Sequence, residues 1–396
     1  MIKVLTELKV KDKRVLVRVD YNVPMKDGKI VEDIRMIESL PTIKYLLSCG
    51  AKVILCSHLG RPDGKRVEKY SLKPIYEHLK ELLVGTNIYF CEDILSKDAE
   101  NMSNNLKNGE VLLLENLRFY EGEEKNSPEF VDALARLGDV FVMDAFGTVH
   151  RKHASTFGIA YKLPSCVGFL VKKEISAFDK ILNNPARPMV AILGGAKIGD
   201  KIDIIENLIN KVDIILIGGG MCFTFIKALK GRVGKSLVDD SKIEICQSLI
   251  KKAIDKKVEI ILPKDFVCAK TIDDDADIEI YNTGEIPDDM MGLDIGPKTV
   301  KIFNKKIKKA KTLFWNGPLG AYECKQFSYG TQNIAVNIAK NKKCYSVVGG
   351  GDVVASLKEL NLNEFISHIS TGGGAGLKLI EGKQLFALEA IEKSQS

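Results

Sequence analysis

The chain has 396 residues, 45% of them hydrophobic and 28% charged, which is the composition of a globular protein of two or three domains. Low-complexity disorder, collagen and coiled coil are excluded, and a core of this size needs no metal or disulfide staple. Lys and Arg total 58 against 52 Asp and Glu, for a net charge of +6; spread over this length, that does not demand nucleic acid, although a local basic cluster can still bind a small anion.

The nine cysteines, at 49, 56, 91, 166, 222, 246, 268, 324 and 344, form no CxxC pair. Several lie inside apolar runs, as Cys56 does in Val53–Cys56, so buried, reduced thiols in a reducing compartment are expected. The N-terminal MIKVLTELKVKDKRVLV carries a charge every few residues and has no signal-peptide core. No run approaches the ~18 apolar residues of a membrane span. A soluble, cytoplasmic protein is expected.

Short β-branched and aliphatic runs recur along the chain. In the first half they are Val15–Val19, Val53–Cys56, Asn87–Phe90, Val111–Leu114 and Val140–Met143. In the second half they are Val190–Leu193, Ile214–Ile217, Glu259–Leu262, Thr312–Trp315, Tyr345–Val348 and Ile366–Ile369. Near-continuous apolar runs predict strands buried on both faces, hence parallel sheets. Between them, Ser71-Leu72-Lys73-Pro74 opens a helix that Gly85 ends, and Ser127-Pro128 opens another that Gly138 closes. The alternation predicts an α/β fold of two doubly wound, Rossmann-like parallel-sheet domains, because two sheets of five or six strands suit these runs better than one of eleven. Lys172–Leu182 reads as a helix and Asn183–Pro188 as a loop. The expected division is therefore a domain over 1–170, an interdomain helix and hinge over 171–188, and a second domain over 189–375.

Ligands of open parallel sheets bind at the carboxyl ends of the strands. In the first half those ends read Asp20-Tyr21-Asn22, Ser57-His58-Leu59-Gly60-Arg61, Glu115–Arg118 and Asp144–Arg151, and Arg35 follows a short loop after the first strand. Arginine forks grip phosphate and carboxylate in bidentate fashion. Any one of these arginines alone would read as a surface ion pair. Arg35, Arg61, Arg118 and Arg151 with His58, at matching positions, read as a site for a small, highly charged anion. The second half offers glycine instead: Gly194-Gly195-Ala196-Lys197, Gly218–Gly220, Trp315–Gly320, Gly349-Gly350-Gly351-Asp352 and Thr371–Gly374. Glycine lets backbone N–H groups approach phosphate oxygens. With Lys197 and Lys201 near, and Asp352 as a partner for nucleotide-borne Mg²⁺, these ends read as a nucleotide site.

Better-known nucleotide motifs fail. Gly234-Lys235-Ser236 ends like a P-loop, but Leu229 stands where its first glycine belongs. Gly218–Gly220 is followed by Phe223 in place of the third glycine of the dinucleotide fingerprint. His150-Arg151-Lys152 lacks the aspartate of a protein-kinase catalytic loop. Asp273–Asp277 lacks the glycine and glutamate of a calcium loop, Lys305–Lys311 reads as an exposed helix face, and His78 and His368 read as structural.

The whole pattern resembles the phosphoglycerate kinase family. The likeness rests on RVDYNVP at 18–24, SHLGRPDG at 57–64, ENLRFYEGE at 115–123, DAFGTVHRKHAS at 144–155, GGAKIGDKI at 194–202, WNGPLGAYE at 315–323, GGGD at 349–352 and STGGGAG at 370–376, in order along the chain. It implies a two-domain glycolytic enzyme, usually monomeric, whose tail (376–396) returns to the first domain. Such an enzyme transfers a phosphoryl group between 1,3-bisphosphoglycerate and ADP, giving 3-phosphoglycerate and ATP with Mg²⁺. Asp20, Tyr21, Asn22, Arg35, His58, Leu59, Gly60, Arg61, Arg118 and Arg151 would hold phosphoglycerate. Lys197, Lys201, Gly218, Gly219, Gly292, Asn316, Glu323, Gly349, Gly350, Gly351, Asp352 and Val353 would hold the nucleotide, Glu323 through the ribose and Asp352 through the metal. Arg35, Lys197 and the backbone near Gly350 and Gly372 would stabilise the phosphoryl in flight. Val353 stands where the family usually has Ser or Thr, and Ala321-Tyr322 where Val-Phe is commoner. Two other readings stay open on the residues: a dinucleotide-dependent oxidoreductase, and a catalytically silent relative that binds anions or nucleic acid.

Overall fold

The computed structural model describes residues 2–394. They form two compact units. One runs to Ser176 and takes in the chain again from Gln384; the other spans Ala177–Lys383. The helix Phe169–Leu182 carries the chain from the first to the second. The short helix Gly374–Ile380 stays within the second unit, and the return to the first begins at Gln384.

The first unit is built on a six-stranded sheet: β1 (Arg14–Val19), β2 (Lys52–Cys56), β3 (Ile88–Cys91), β4 (Val111–Leu114), β5 (Val140–Asp144) and β6 (Ser165–Val167), in the order β3-β4-β2-β1-β5-β6. Every pairing is parallel. Alternation along β1 sends Val15, Val17, Val19 and then Tyr21 into a core shared with Met36, Ile43 and Leu46 of the helix Ile34–Ser48 and with Ile75 and Leu79 of the helix Lys73–Leu82. Arg18 and Asp20 fall on the opposite phase. Helix Pro128–Arg136 starts where the sequence predicts, its Ser127 hydroxyl accepting from Phe130 N at 3.3 Å. The helix after Ser71 begins at Lys73, one residue later than a Ser71 cap predicts, with Leu72 at the cap position. Ser71 Oγ accepts from Lys73 N at 3.2 Å while donating to Glu115 Oε2 at 2.7 Å.

The second unit carries β7 (Met189–Leu193), β8 (Ile214–Ile217), β9 (Glu259–Ile261), β10 (Thr312–Asn316), β11 (Tyr345–Gly349) and β12 (His368–Ile369), in the order β9-β8-β7-β10-β11-β12 and again all parallel. The strand order reverses between β7 and β10, which is where a doubly wound sheet opens its ligand crevice. Phe303 and Ile307 of the helix Pro297–Ile307, Ile334 and Ile338 of the helix Tyr329–Lys340, and Val353 and Leu357 of the helix Gly351–Glu359 pack with Val190, Ile192, Leu313 and Trp315. Burial of a side chain such as Phe303 contributes roughly 1.5–3 kcal/mol. A separate antiparallel sheet sets Asp265–Ala269 between Glu279–Asn282 and Met291–Ile295.

All eleven runs read from the sequence are strands. Strand β6 was not anticipated because it has only three residues. The antiparallel sheet was not anticipated because its edge strand Glu279–Asn282 is mostly exposed and lacks a continuous apolar run.

Candidate active site

In the first unit the cusps after β1, β2 and β4 are laced together. Arg35, in the first turn of the helix Ile34–Ser48, sets Nη1 2.9 Å from the Asn22 carbonyl and 3.3 Å from Asp20 Oδ2. Asn22 Oδ1 accepts from Gly60 N at 2.9 Å. Arg118 Nη1 donates to the Gly60 carbonyl at 2.7 Å, and its Nε pairs with Glu124 Oε1 at 2.9 Å. Arg151, on the loop after β5, stands close enough to Arg18, Arg61 and Asp20 for their charges to move its titration. Arg61 itself is exposed. Burial, and then the Arg151 charge, pull the Arg118 guanidinium down to about 10. Three of the predicted arginines, Arg61, Arg118 and Arg151, therefore share one electrostatic neighbourhood with Arg18, and Arg35 adjoins it through Asp20.

His58 is buried among them, and burial together with the Arg18, Arg118 and Arg151 charges holds it well below the ordinary imidazole value. It is neutral near pH 7. Its Nδ1 lies 3.0 Å from Arg18 Nη2. Arginine only donates, so Nδ1 accepts and Nε2 keeps the proton as a donor. His153 is pushed down to about 3 by burial and by Arg151 and Arg118. Neither His58 nor His153 therefore adds positive charge to the arginines near neutral pH.

Arg18 was missed as a functional residue. It is 1% exposed in the central strand, and its Nε donates to Ser155 Oγ at 2.8 Å. Ser155 Oγ in turn donates to the buried Glu123 Oε1 at 2.6 Å. The signal was a lone charge inside the apolar run Val15–Val19, since a buried charge must be paired. Two expected contacts differ in the opposite sense. The Tyr21 and Leu59 side chains lie in the hydrophobic core, Tyr21 hydrogen-bonding Ser39 Oγ at 3.2 Å, so only their backbones belong to the cusps. Strand alternation places Tyr21 in phase with Val17 and Val19. Asp144, at the end of β5, does not face the basic cluster with its acceptors. Its Oδ1 accepts from Leu170 N and Val171 N at 2.9 and 3.3 Å and so caps the linking helix, and burial raises it to about 7.

The second unit builds its site from backbone. Gly194 N donates to the Asn316 carbonyl at 3.0 Å, and Gly219 N to the Leu319 carbonyl at 3.0 Å. A Cβ on Gly194 would stand 2.1 Å from the Pro318 carbonyl oxygen, and one on Gly219 2.6 Å from Gly195 N. Only glycine lets these three loops meet. Asn316 braces the neighbouring loops, with Nδ2 donating to the Gly349 carbonyl at 2.8 Å and Oδ1 accepting from Lys201 Nζ. Burial holds Lys201 below the usual amine range. Lys197 is exposed at the start of the Ile198–Lys201 turn.

A cleft of about 450 Å³ opens beside these loops. Gly195, Ala196, Gly220, Leu237, Gly292, Pro318, Ala321, Glu323 and Asp352 line it, with Lys235 and Ser236 of the failed P-loop and Ile272. Of the expected nucleotide contacts Gly292, Glu323 and Asp352 line it, whereas Lys197, Lys201, Gly218, Gly219, Asn316, Gly349, Gly350, Gly351 and Val353 are not among the lining residues. Gly292 is held by Ser236 Oγ, which accepts from its N–H at 2.9 Å. Gly350 precedes the helix Gly351–Glu359, whose first N–H groups have no partner within the helix. Asp352 is exposed in its first turn. Val353 is fully buried in the hydrophobic core, so it has its backbone, not its side chain, to offer a nucleotide. Gly372 N donates to Ser370 Oγ at 3.2 Å. Lys235, Ser236 and Ile272 were not foreseen. Lys235 and Ser236 were set aside with a motif that did not match.

The phosphoglycerate kinase family model matches residues 5–383. The chain belongs to the phosphoglycerate kinase family. A phosphoglycerate kinase of Dictyoglomus turgidum is 50% identical over 382 residues, 96% of each chain. One of Finegoldia magna is 48% identical over 393 residues, 99% of each. Among solved structures, phosphoglycerate kinase from Coxiella burnetii matches with a TM-score of 0.91 at 38% identity, covering 99% of both chains. The Pyrococcus horikoshii phosphoglycerate kinase matches at 0.82 and 33%, covering 100% of this chain and 99% of the other. As a member of this kinase family the protein is an enzyme, a phosphotransferase. Among the described residues no helix is long and apolar enough to cross a membrane.

Proposed function

We propose that this enzyme carries out the reversible transfer of a phosphoryl group from 1,3-bisphosphoglycerate to ADP, giving 3-phosphoglycerate and ATP, as a step of glycolysis. The observation that carries the reading furthest is the arginine neighbourhood of Arg18, Arg118, Arg151 and Arg61 with a neutral His58. Crowded, partly desolvated guanidinium groups raise one another's free energy, and a multiply charged anion relieves that cost. A phosphorylated carboxylate of three carbons suits such a site better than a neutral or singly charged ligand. Asp20, Asn22, Arg35, His58, Gly60, Arg61, Arg118 and Arg151, with the backbones of Tyr21 and Leu59, are its proposed contacts.

Nucleotide is proposed to occupy the second unit's cleft. Lys197, Lys201, Asn316 and the backbone of Gly349–Val353 take the phosphates, Glu323 takes the ribose, and Gly218, Gly219 and Gly292 lie toward the adenosine. Mg²⁺ would be held by Asp352 together with the nucleotide's own phosphates, and would neutralise their oxygens. An exposed carboxylate in the first turn of a helix fits that role, because Mg²⁺ takes only one or two protein carboxylates at such sites.

No general base is required. In the ATP-consuming direction the nucleophile is a carboxylate, already ionised near neutral pH. Its oxygen attacks the γ-phosphorus in line, and the bond from that phosphorus to the bridging oxygen breaks, leaving ADP. What the protein supplies is position and charge: Arg35, Lys197 and the N–H groups near Gly350 and Gly372 stabilise the equatorial oxygens. The anion site belongs to one unit and the nucleotide site to the other, so the proposal includes closure about the linking segment when both ligands bind. The enzyme is proposed to act as a monomer in the cytoplasm, on small molecules alone.

Purified protein with Mg-ATP and 3-phosphoglycerate, coupled to NADH oxidation by glyceraldehyde-3-phosphate dehydrogenase, is expected to turn over and to stop with EDTA. Folded protein without turnover would refute the assignment. Small-angle scattering with both ligands should show a smaller radius of gyration than the free protein, and an unchanged value would remove closure.

A further inference from the structure

We infer that Tyr322 is a positioning residue for the nucleotide site, acting through a tether to Glu359; this rests on the assignment of that site made above. Tyr322 lies on the loop after β10, directly before Glu323, and its hydroxyl donates to Glu359 Oε2. Glu359 is the last residue of the helix whose first turn holds Asp352. The tether therefore joins the loop that carries the ribose contact to the far end of the helix that carries the phosphate and metal contact.

The rest of the loop is held by packing of Ala321 and Cys324 against Ala269, Leu293 and Phe327 and by backbone hydrogen bonds. Ala321 N donates to the Leu293 carbonyl at 2.7 Å, and Cys324 N to the Ala321 carbonyl at 3.0 Å. Glu323 itself is exposed, and its neighbour Ala321 lines the cleft. The Tyr322 hydroxyl thus links this loop to the helix Gly351–Glu359, through Glu359 and with Ser356 of the same helix beside it. A nucleotide needs its ribose and phosphate partners at a fixed separation. Holding them there before binding removes an ordering cost from the binding step. The interaction acts on affinity and not on the chemical step, because it joins the ribose-side loop to the far end of the helix, a full helix length from Gly350 and Asp352.

Tyr322→Phe keeps the ring and removes only the hydroxyl. The expected result is a rise of roughly threefold to tenfold in both KM for Mg-ATP and Kd for Mg-ADP, the net scale of one ordinary, solvent-exposed hydrogen bond. The kcat and the KM for 3-phosphoglycerate should not move. Glu359→Ala should reproduce the effect, the double variant should add nothing further, and Glu359→Gln, which still accepts, should recover most of it. A purely structural role would instead lower the melting temperature and leave the nucleotide constants alone, and that outcome would overturn the inference. So would two effects that simply add. If the parent protein shows no turnover, the assignment of function fails separately, and the Mg-ADP titrations still decide whether the tether tunes nucleotide affinity.

Discussion

The two units share an architecture and differ in what they place at the same edge of it. The first projects charged side chains: Arg35, Arg118 and Arg151, with Arg18 and His58 behind them. The second projects backbone, through Gly194–Gly195, Gly218–Gly220 and Gly349–Gly351. A side-chain site owes its charge to particular residues and is damaged by deleting them. A backbone site owes its shape to missing Cβ atoms and is damaged by adding one. That contrast matches the proposed ligands, since a small rigid anion can be enclosed by forks, whereas a chain of phosphates needs close approach along its length.

The contrast can be broken most severely at the transferring group. Arg35→Ala and Lys197→Ala are each expected to cost ~10²–10³ in turnover with the fold intact, read by the coupled assay beside a circular-dichroism melt. Near-normal turnover in either would remove that residue from its role. Next in size is Gly194→Ala. Its Cβ would meet the Pro318 carbonyl oxygen at 2.1 Å, so stability should fall by about 1–3 kcal/mol and nucleotide affinity should fall while anion affinity is retained. Unchanged nucleotide affinity would show that the three loops need not meet.

Arg18→Met tests the reach of the first site beyond the residues that face the ligand. It removes the donor to His58 Nδ1 and the partner of Ser155. A rise of roughly tenfold in KM for 3-phosphoglycerate is expected, the scale of a hydrogen bond to a charged group. Arg18→Lys should not restore it, because one ammonium cannot replace a fork that reaches both partners.

The smallest effect concerns pH. Because His58 and His153 stay neutral, neither adds a titration step to 3-phosphoglycerate affinity across neutral pH, where the ligand's own phosphate, with a second pKa of about 6, is what titrates. Stability responds in the acid range. The folded-state value of His153 lies at about 3, below the ordinary 6.5, so its contribution is complete above 6.5 and is lost as pH falls toward 3. His153→Gln should flatten that acid limb in pH-dependent melts, and an unaltered slope would contradict the assignment.

Much of this was legible in the sequence because it was written in periods and strand ends. Continuous apolar runs marked every strand of the two parallel sheets but β6, and the residues just past them marked both candidate sites. What escaped has physical reasons. The phase of β1 decides that Tyr21 turns inward while Arg18 and Asp20 turn the other way, and a motif string does not show phase. Val353 likewise belongs to the core face of its helix, although it sits inside a phosphate-binding string. Strand β6 was too short to give a pattern. The antiparallel sheet around Asp265–Ala269, which carries Gly292 to the cleft, was hidden by its exposed edge strand. Lys235 and Ser236 reach the cleft through that tertiary neighbour and not through local spacing.

The division of labour between the units is tested most directly by titrating 3-phosphoglycerate and Mg-ADP separately into the Arg151→Ala protein by calorimetry. At least a tenfold loss of 3-phosphoglycerate affinity with an unchanged Mg-ADP affinity is expected. Loss of Mg-ADP binding with 3-phosphoglycerate binding intact would contradict that division.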